Sequence, residues 1–213
     1  MWLWQGIVQG GPVMIPIILC SFFACAITIE RMLFYYVGLK FNSKEILTQI
    51  LENVRKNKIT EAIEICEKNQ YYITNILKAG LIHYEDSKEI IKEEMENTSL
   101  YELPKLEKNL NFLSTISHVS PLLGLLGTVT GLVKCFYTIE KKAASVGMVN
   151  PSDLAGGIWE ALITTVAGLC VAIPGYIAYH YFVHKVDLYI LEAERAASEL
   201  LEVLSQRRYV GEV

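Results

Sequence analysis

Charge is confined to blocks in this chain, and that distribution constrains the fold more than any other feature. No charged side chain occurs from Met1 to Thr28, whereas charges are dense from Lys40 to Lys108. The stretch from Asn109 to Thr138 holds only Lys134, and that from Leu154 to Val183 holds only Glu160. Each apolar run is long enough for the roughly 20 residues that cross a bilayer as a helix. A chain that is 52% hydrophobic and yet 20% charged suits such segregation better than a soluble core. The predicted fold is therefore an all-α membrane protein with three transmembrane helices and long cytoplasmic helical extensions.

The segments follow from this pattern. Residues 1–11 carry Trp2 and Trp4, whose indole rings favour the membrane–water interface, so they read as an interfacial segment. Residues 12–36 form the first span, with Pro12 and Pro16 where a missing N–H costs least. Its end, "ERMLFYY", places Glu30 and Arg31 near the far boundary or in a pair inside the bundle. Residues 37–109 form a polar helical domain. There Ile46, Leu47, Ile50, Leu51 and Val54 share one helical face, with Ser43 as the N-cap candidate. Further helices are predicted over Thr60–Lys68, Ile73–Tyr84 and Ser87–Asn109, with a kink at Pro104. Residues 110–137 form the second span, 138–153 a polar loop, and 154–183 the third span capped by Ser152 or Asp153. Residues 184–213 keep helical spacing through Leu188, Leu191, Ala197, Leu201 and Leu204.

Lysines set the orientation. Lys40, Lys44, Lys105, Lys108 and Lys185 flank one side, while the N-terminus supplies none to the other and the second loop supplies Lys141 and Lys142. The positive-inside rule then puts 37–109 and the C-terminus in the cytoplasm, with the N-terminus and the second loop outside.

Several function classes find no support. No basic patch suits nucleic acid, and the net charge is −4. The cysteines, Cys20, Cys25, Cys66, Cys135 and Cys170, form no CxxC pair and read as reduced packing residues, so no metal site is expected. There is no nucleophile–base pair, HExxH or phosphate loop, so neither enzyme activity nor a cofactor is expected. The N-terminus lacks a basic n-region and is expected to be retained.

The second and third spans are not uniformly oily. Gly127 and Gly131 make a GxxxG, and Gly124 with Thr128 share a face one turn away. The third span adds Gly156, Gly157, Ala161, Thr165, Gly168 and Gly175. Small residues let helix backbones approach in lipid, so close packing alone would account for the glycines. Glu160 is either an interfacial, hydrogen-bonded glutamate or a group lining a hydrated path. Lys134 reads as a lysine snorkelling to the outer boundary, with partnership to Glu160 as the alternative. His118 reads as a lone interfacial side chain. Thr128, Thr130, Thr164 and Thr165 either bond back to their own helices or line a pore.

"SPLLGLLGTVTGLV", Ser120 to Val133, and "LAGGIWEALITTVAGLCVAIPGYIAYHYF", Leu154 to Phe182, resemble the signature helices of the MotA/TolQ/ExbB proton-channel proteins. "GGPVMIPIILCSFFACAITIERM" resembles the first span of the ExbB and TolQ branch. The middle block matches in length and helical character only. The resemblance implies a multi-pass protein of the bacterial inner membrane, N-terminus and second loop periplasmic, that couples the proton motive force to a periplasm-spanning effector. It implies a homo-oligomer of five copies around a dimer of single-span ExbD/TolR-like partners, with a TonB/TolA-like effector. It marks Thr128, Glu160 and Thr165 as the ion pathway. The family's prolines match Pro121 and Pro174, which with Gly124, Gly127, Gly131 and Gly168, read above from their spacing, are the packing or kink positions. Thr130 departs from the pattern, since relatives often carry a bulky residue there. A MotA-like flagellar stator subunit and a structural scaffold without ion flux are the alternatives.

Overall fold

The structure is a computed structural model. It describes residues 10–38, 43–69, 71–146 and 151–211, without the side chains of 37–38, 43–44, 145–146, 151–153 and 207–211. Trp2, Trp4 and Gln70 lie outside the described residues. The elements described are helical: α1 (Met14–Leu33) running into a π-helical stretch (Phe34–Gly38), α2 (Ser43–Arg55), α3 (Ile59–Lys68), α4 (Tyr72–Ile82), α5 (Lys88–Leu106), α6 (Leu110–Val146) and α7 (Pro151–Gly211). Three of them are long and apolar enough to cross a membrane, over Met14–Tyr36, Leu110–Ala144 and Leu154–Gln206.

The chain divides into two compact units. One comprises Met1–Met32 with Asn109–Tyr181, the other Leu33–Lys108 with Phe182–Val213. In the first unit, α1 buries a single stripe of Met14, Ile17, Ala24, Ile27 and Arg31, the spacing of one helical face. Its entry is tightened by backbone bonds from Met14 N–H to Gly11 O (3.2 Å) and Ile15 N–H to Pro12 O (3.3 Å). Phe23 meets Phe112 of α6 edge-to-face with ring centres 6.1 Å apart. Asn109 donates to Glu30 at 2.7 Å, and Arg31 pairs with the same carboxylate at 2.8 Å.

The second unit is packed like a water-soluble bundle. Ile50, Val54, Ala62, Cys66, Leu77, Leu81, Met95, Ala196 and Leu200 are buried. Helix α2 stops because Asn57 takes a left-handed conformation (φ 64°). Lys58 N–H then reaches Asn53 O (2.9 Å) and Asn57 N–H reaches Val54 O (3.1 Å), a Schellman closure with asparagine where glycine is usual. The Ser87 hydroxyl caps α5 by accepting from Ile90 N–H. Gly80 faces the Met95 and Leu200 side chains, so α4 can lie close to both. The Tyr35 hydroxyl donates to Leu106 O at 2.7 Å, and its ring stacks on Phe182. Burial pushes the Cys66 thiol up to about 12, so it stays protonated and inert at neutral pH.

Several boundaries differ from the sequence reading. Helix α6 continues to Val146, into the stretch predicted as loop, because Glu140, Lys141, Lys142, Ala143 and Ala144 favour helix and nothing breaks it before Gly147. Helix α7 begins at Pro151, which suits a first helical position, so Ser152 and Asp153 lie within its first turn instead of capping it. Ser43 is likewise the first helical residue of α2. Pro104 lies near the end of α5, and the break before α6 is made by Asn109 (φ 62°).

Candidate functional site

Helices α6 and α7 run antiparallel in the first unit, and their contact is built on absent side chains. A Cβ at Gly127 would strike the Thr164 hydroxyl, and one at Gly168 would lie 2.5 Å from the Ser120 carbonyl oxygen. Gly124 lies against the Thr165 backbone, and Gly131 against Gly157 and Ala161. These residues do what small residues do in lipid: they let two backbones touch where apolar side chains gain nothing by leaving the bilayer. Pro121 and Pro174 sit inside the two helices. Each removes the donor for the carbonyl four residues back, at Ser117 and Cys170.

This contact fixes the level of the threonines. Thr164 is wholly buried beneath Gly127 and donates to Glu160 O (3.0 Å) and Ala161 O (2.9 Å). Thr165, half-buried, donates across the pair to Gly124 O at 3.1 Å and back to Ala161 O at 3.3 Å. Thr128 follows Gly127 directly, at the same level, and donates to Leu125 O at 2.6 Å. Thr130 donates to Leu126 O (3.0 Å) from an exposed position. Each hydroxyl thus has a carbonyl to bond, as threonines in apolar helices commonly do. An oxygen lone pair on Thr128 or Thr165 stays available as an acceptor.

Glu160 is 8% exposed and pairs with Lys134 at 2.7 Å. This corrects the reading of Lys134 as a snorkelling lysine. Residues 131 and 157 bring the backbones together, one turn from each partner, so the ammonium reaches the carboxylate instead of the headgroups. Gly11 (φ 66°) lies on the other side of the carboxylate, with no room for a Cβ. Lys134 and Glu160 line a cleft of about 630 Å³ with Cys135, Thr138, Gly156 and Trp159. Among the described residues no group of three or more His, Cys, Asp or Glu could hold a metal ion.

His118 is not alone, contrary to the sequence reading. Its ring packs edge-on to Tyr176 (6.0 Å between centres), and Tyr176 packs on His180 (4.3 Å). The sequence signal was the four-residue spacing of Tyr176 and His180, which places both on one face of α7.

Long apolar helices and a tight small-residue pair, with hydroxyls at one level, are the build of a membrane-embedded helical subunit. The comparisons with known proteins narrow the class. A profile of the MotA/TolQ/ExbB proton channel family matches residues 67–195. ExbB-like 1 of Synechocystis sp. is 33% identical over 82% of this chain and 68% of its own. The biopolymer transport protein exbB1 of Vibrio cholerae is 28% identical over 92% of this chain and 83% of its own. A solved structure of C. jejuni MotAB has the same fold, with a TM-score of 0.58 at 20% identity over 87% of this chain and 74% of that one. The chain belongs to the MotA/TolQ/ExbB proton channel family, as a proton-channel motor subunit of the ExbB/TolQ type. That family consists of channel and transport subunits, not enzymes.

Proposed function

We propose that this chain forms the ring of an inner-membrane motor that couples the proton motive force to a periplasm-spanning effector. Five copies surround a dimer of single-span ExbD/TolR-like proteins, and a TonB/TolA-like effector takes up the motion. Thr128 and Thr165 face the central axis, with Glu160 at the outer end of the path. The N-terminus and the segment between α6 and α7 face the periplasm, and residues 37–109 and the C-terminus face the cytoplasm, a reading that the lysine distribution supports.

One observation carries the reading. Glu160 is the only acid within residues 110–137 and 154–183, and Lys134 already pairs with it. A carboxylate that picks up and releases a proton at the level of Thr128 and Thr165 therefore comes from another chain. The threonine oxygens offer hydrogen bonds to that partner group in either protonation state. Protonation cancels the partner's charge in an apolar bore, and the membrane potential supplies about 2.3 kcal/mol per charge per 100 mV.

The test is proton uptake into liposomes driven by an imposed potential. The chain reconstituted with an ExbD/TolR-like single-span protein is expected to admit protons, and the chain alone is not. Equal, negligible uptake in both preparations would favour a scaffold without ion flux.

A further inference from the structure

We propose that His118, Tyr176 and His180 form a proton-release relay at the inner end of the path. The inference rests on the channel reading above and adds residues that reading does not use. Helical spacing carries the argument first. Thr165, Leu169, Ala172, Tyr176 and His180 recur on one face of α7, and Thr128, Leu125, Pro121 and His118 recur on one side of α6. From Thr128 to His118 is ten residues, about 15 Å along the helix at about 1.5 Å per residue. Between the threonines and the cluster that face is apolar, and the cluster ends it.

The local geometry brings the three titratable rings together. His118 Nδ1 lies 2.8 Å from Ser114 O, a carbonyl that only accepts, so Nδ1 carries the hydrogen and Nε2 is the basic nitrogen. Tyr176 is in ring contact with both imidazoles, and its hydroxyl both donates and accepts. Tyr179 also meets His180, at 5.2 Å between ring centres. His118, Tyr176 and His180 are all exposed on the chain, and the relay requires water at them. The step balances simply. The proton that leaves the partner's carboxylic acid at the threonine level is carried over this distance by water, and a hydronium O–H bond breaks as an N–H bond forms at His118 Nε2. That N–H then breaks toward Tyr176, His180 and water, and the ring returns neutral with one proton moved.

The test uses the chain with its single-span partner in liposomes, under an imposed potential. His118→Ala with His180→Ala is expected to lower proton uptake by about a hundredfold or more, the low end for removing an acid–base group. Millimolar external imidazole is expected to restore uptake to at least half, because a free imidazole can occupy the vacated sites. A purely structural role would not respond to imidazole. Unchanged uptake, or a loss that imidazole does not reverse in a ring that still assembles, overturns the relay. If the double alanine variant does not assemble, His118→Gln with His180→Gln keeps the side-chain volume and is read for the same loss. Full uptake in that variant also overturns the proposal. Absence of partner-dependent uptake in the unmodified chain marks failure of the channel reading itself.

Discussion

The two units use the same secondary structure and opposite packing. In the unit of α2–α5 and the end of α7, large residues point inward: Ile50, Leu81 and Leu200 are fully buried. In the unit of α1, α6 and the start of α7, large residues point outward: Leu122, Val133, Phe136 and Ile177 are more than 60% exposed. The contact between α6 and α7 is made instead by glycines, Ala161 and Thr164. The difference is one of solvent. Water expels apolar surface at about 25 cal/mol per Å². Lipid expels none of it, so backbone approach and hydrogen bonds decide which helices meet.

The comparison can be broken from either side. Leu200→Ala empties a closed core and is expected to cost about 2–5 kcal/mol of unfolding free energy, read from thermal melts in detergent. A cost below 1 kcal/mol would mean that the second unit is not held by its apolar interior. Gly127→Val overfills a contact where the Thr164 hydroxyl already sits and is expected to cost about 1–3 kcal/mol in the same melts. Were it neutral, the α6–α7 pair would have to be looser than the structure has it. Lys134→Met leaves Glu160 without its counter-ion. Because the Lys134 side chain is 64% exposed, the expected loss is up to about 1 kcal/mol. Ile29→Ala trims a residue on the outward face of α1 and is expected to change stability by less than about 0.5 kcal/mol. A large loss there would show that this face is covered.

The sequence disclosed the spans because charge is absent from them, and it disclosed the small-residue stripe because its spacing is helical. It did not disclose that Gly127 and Gly168 serve a contact within one chain, since the same spacing would serve a contact between chains. Lys134 was misread for a related reason. Its reach to Glu160 depends on how closely α6 and α7 approach, and pairing across helices leaves no periodic trace. The end of α6 was placed too early because a change from apolar to polar marks a membrane boundary, not a helix boundary. The left-handed turns at Asn57 and Asn109 had no glycine to announce them. His118 looked solitary because its neighbours lie on another helix.

The central claim is that the hydroxyls of Thr128 and Thr165 serve the proton's path. Its most direct test is partner-dependent proton uptake by Thr128→Val with Thr165→Val, beside a check that the ring assembles. Valine keeps the shape and removes both oxygens. Only the Thr165 bond to Gly124 spans two helices, a loss of about 1 kcal/mol. The account predicts an intact ring with uptake abolished; an intact ring that conducts as before would contradict it.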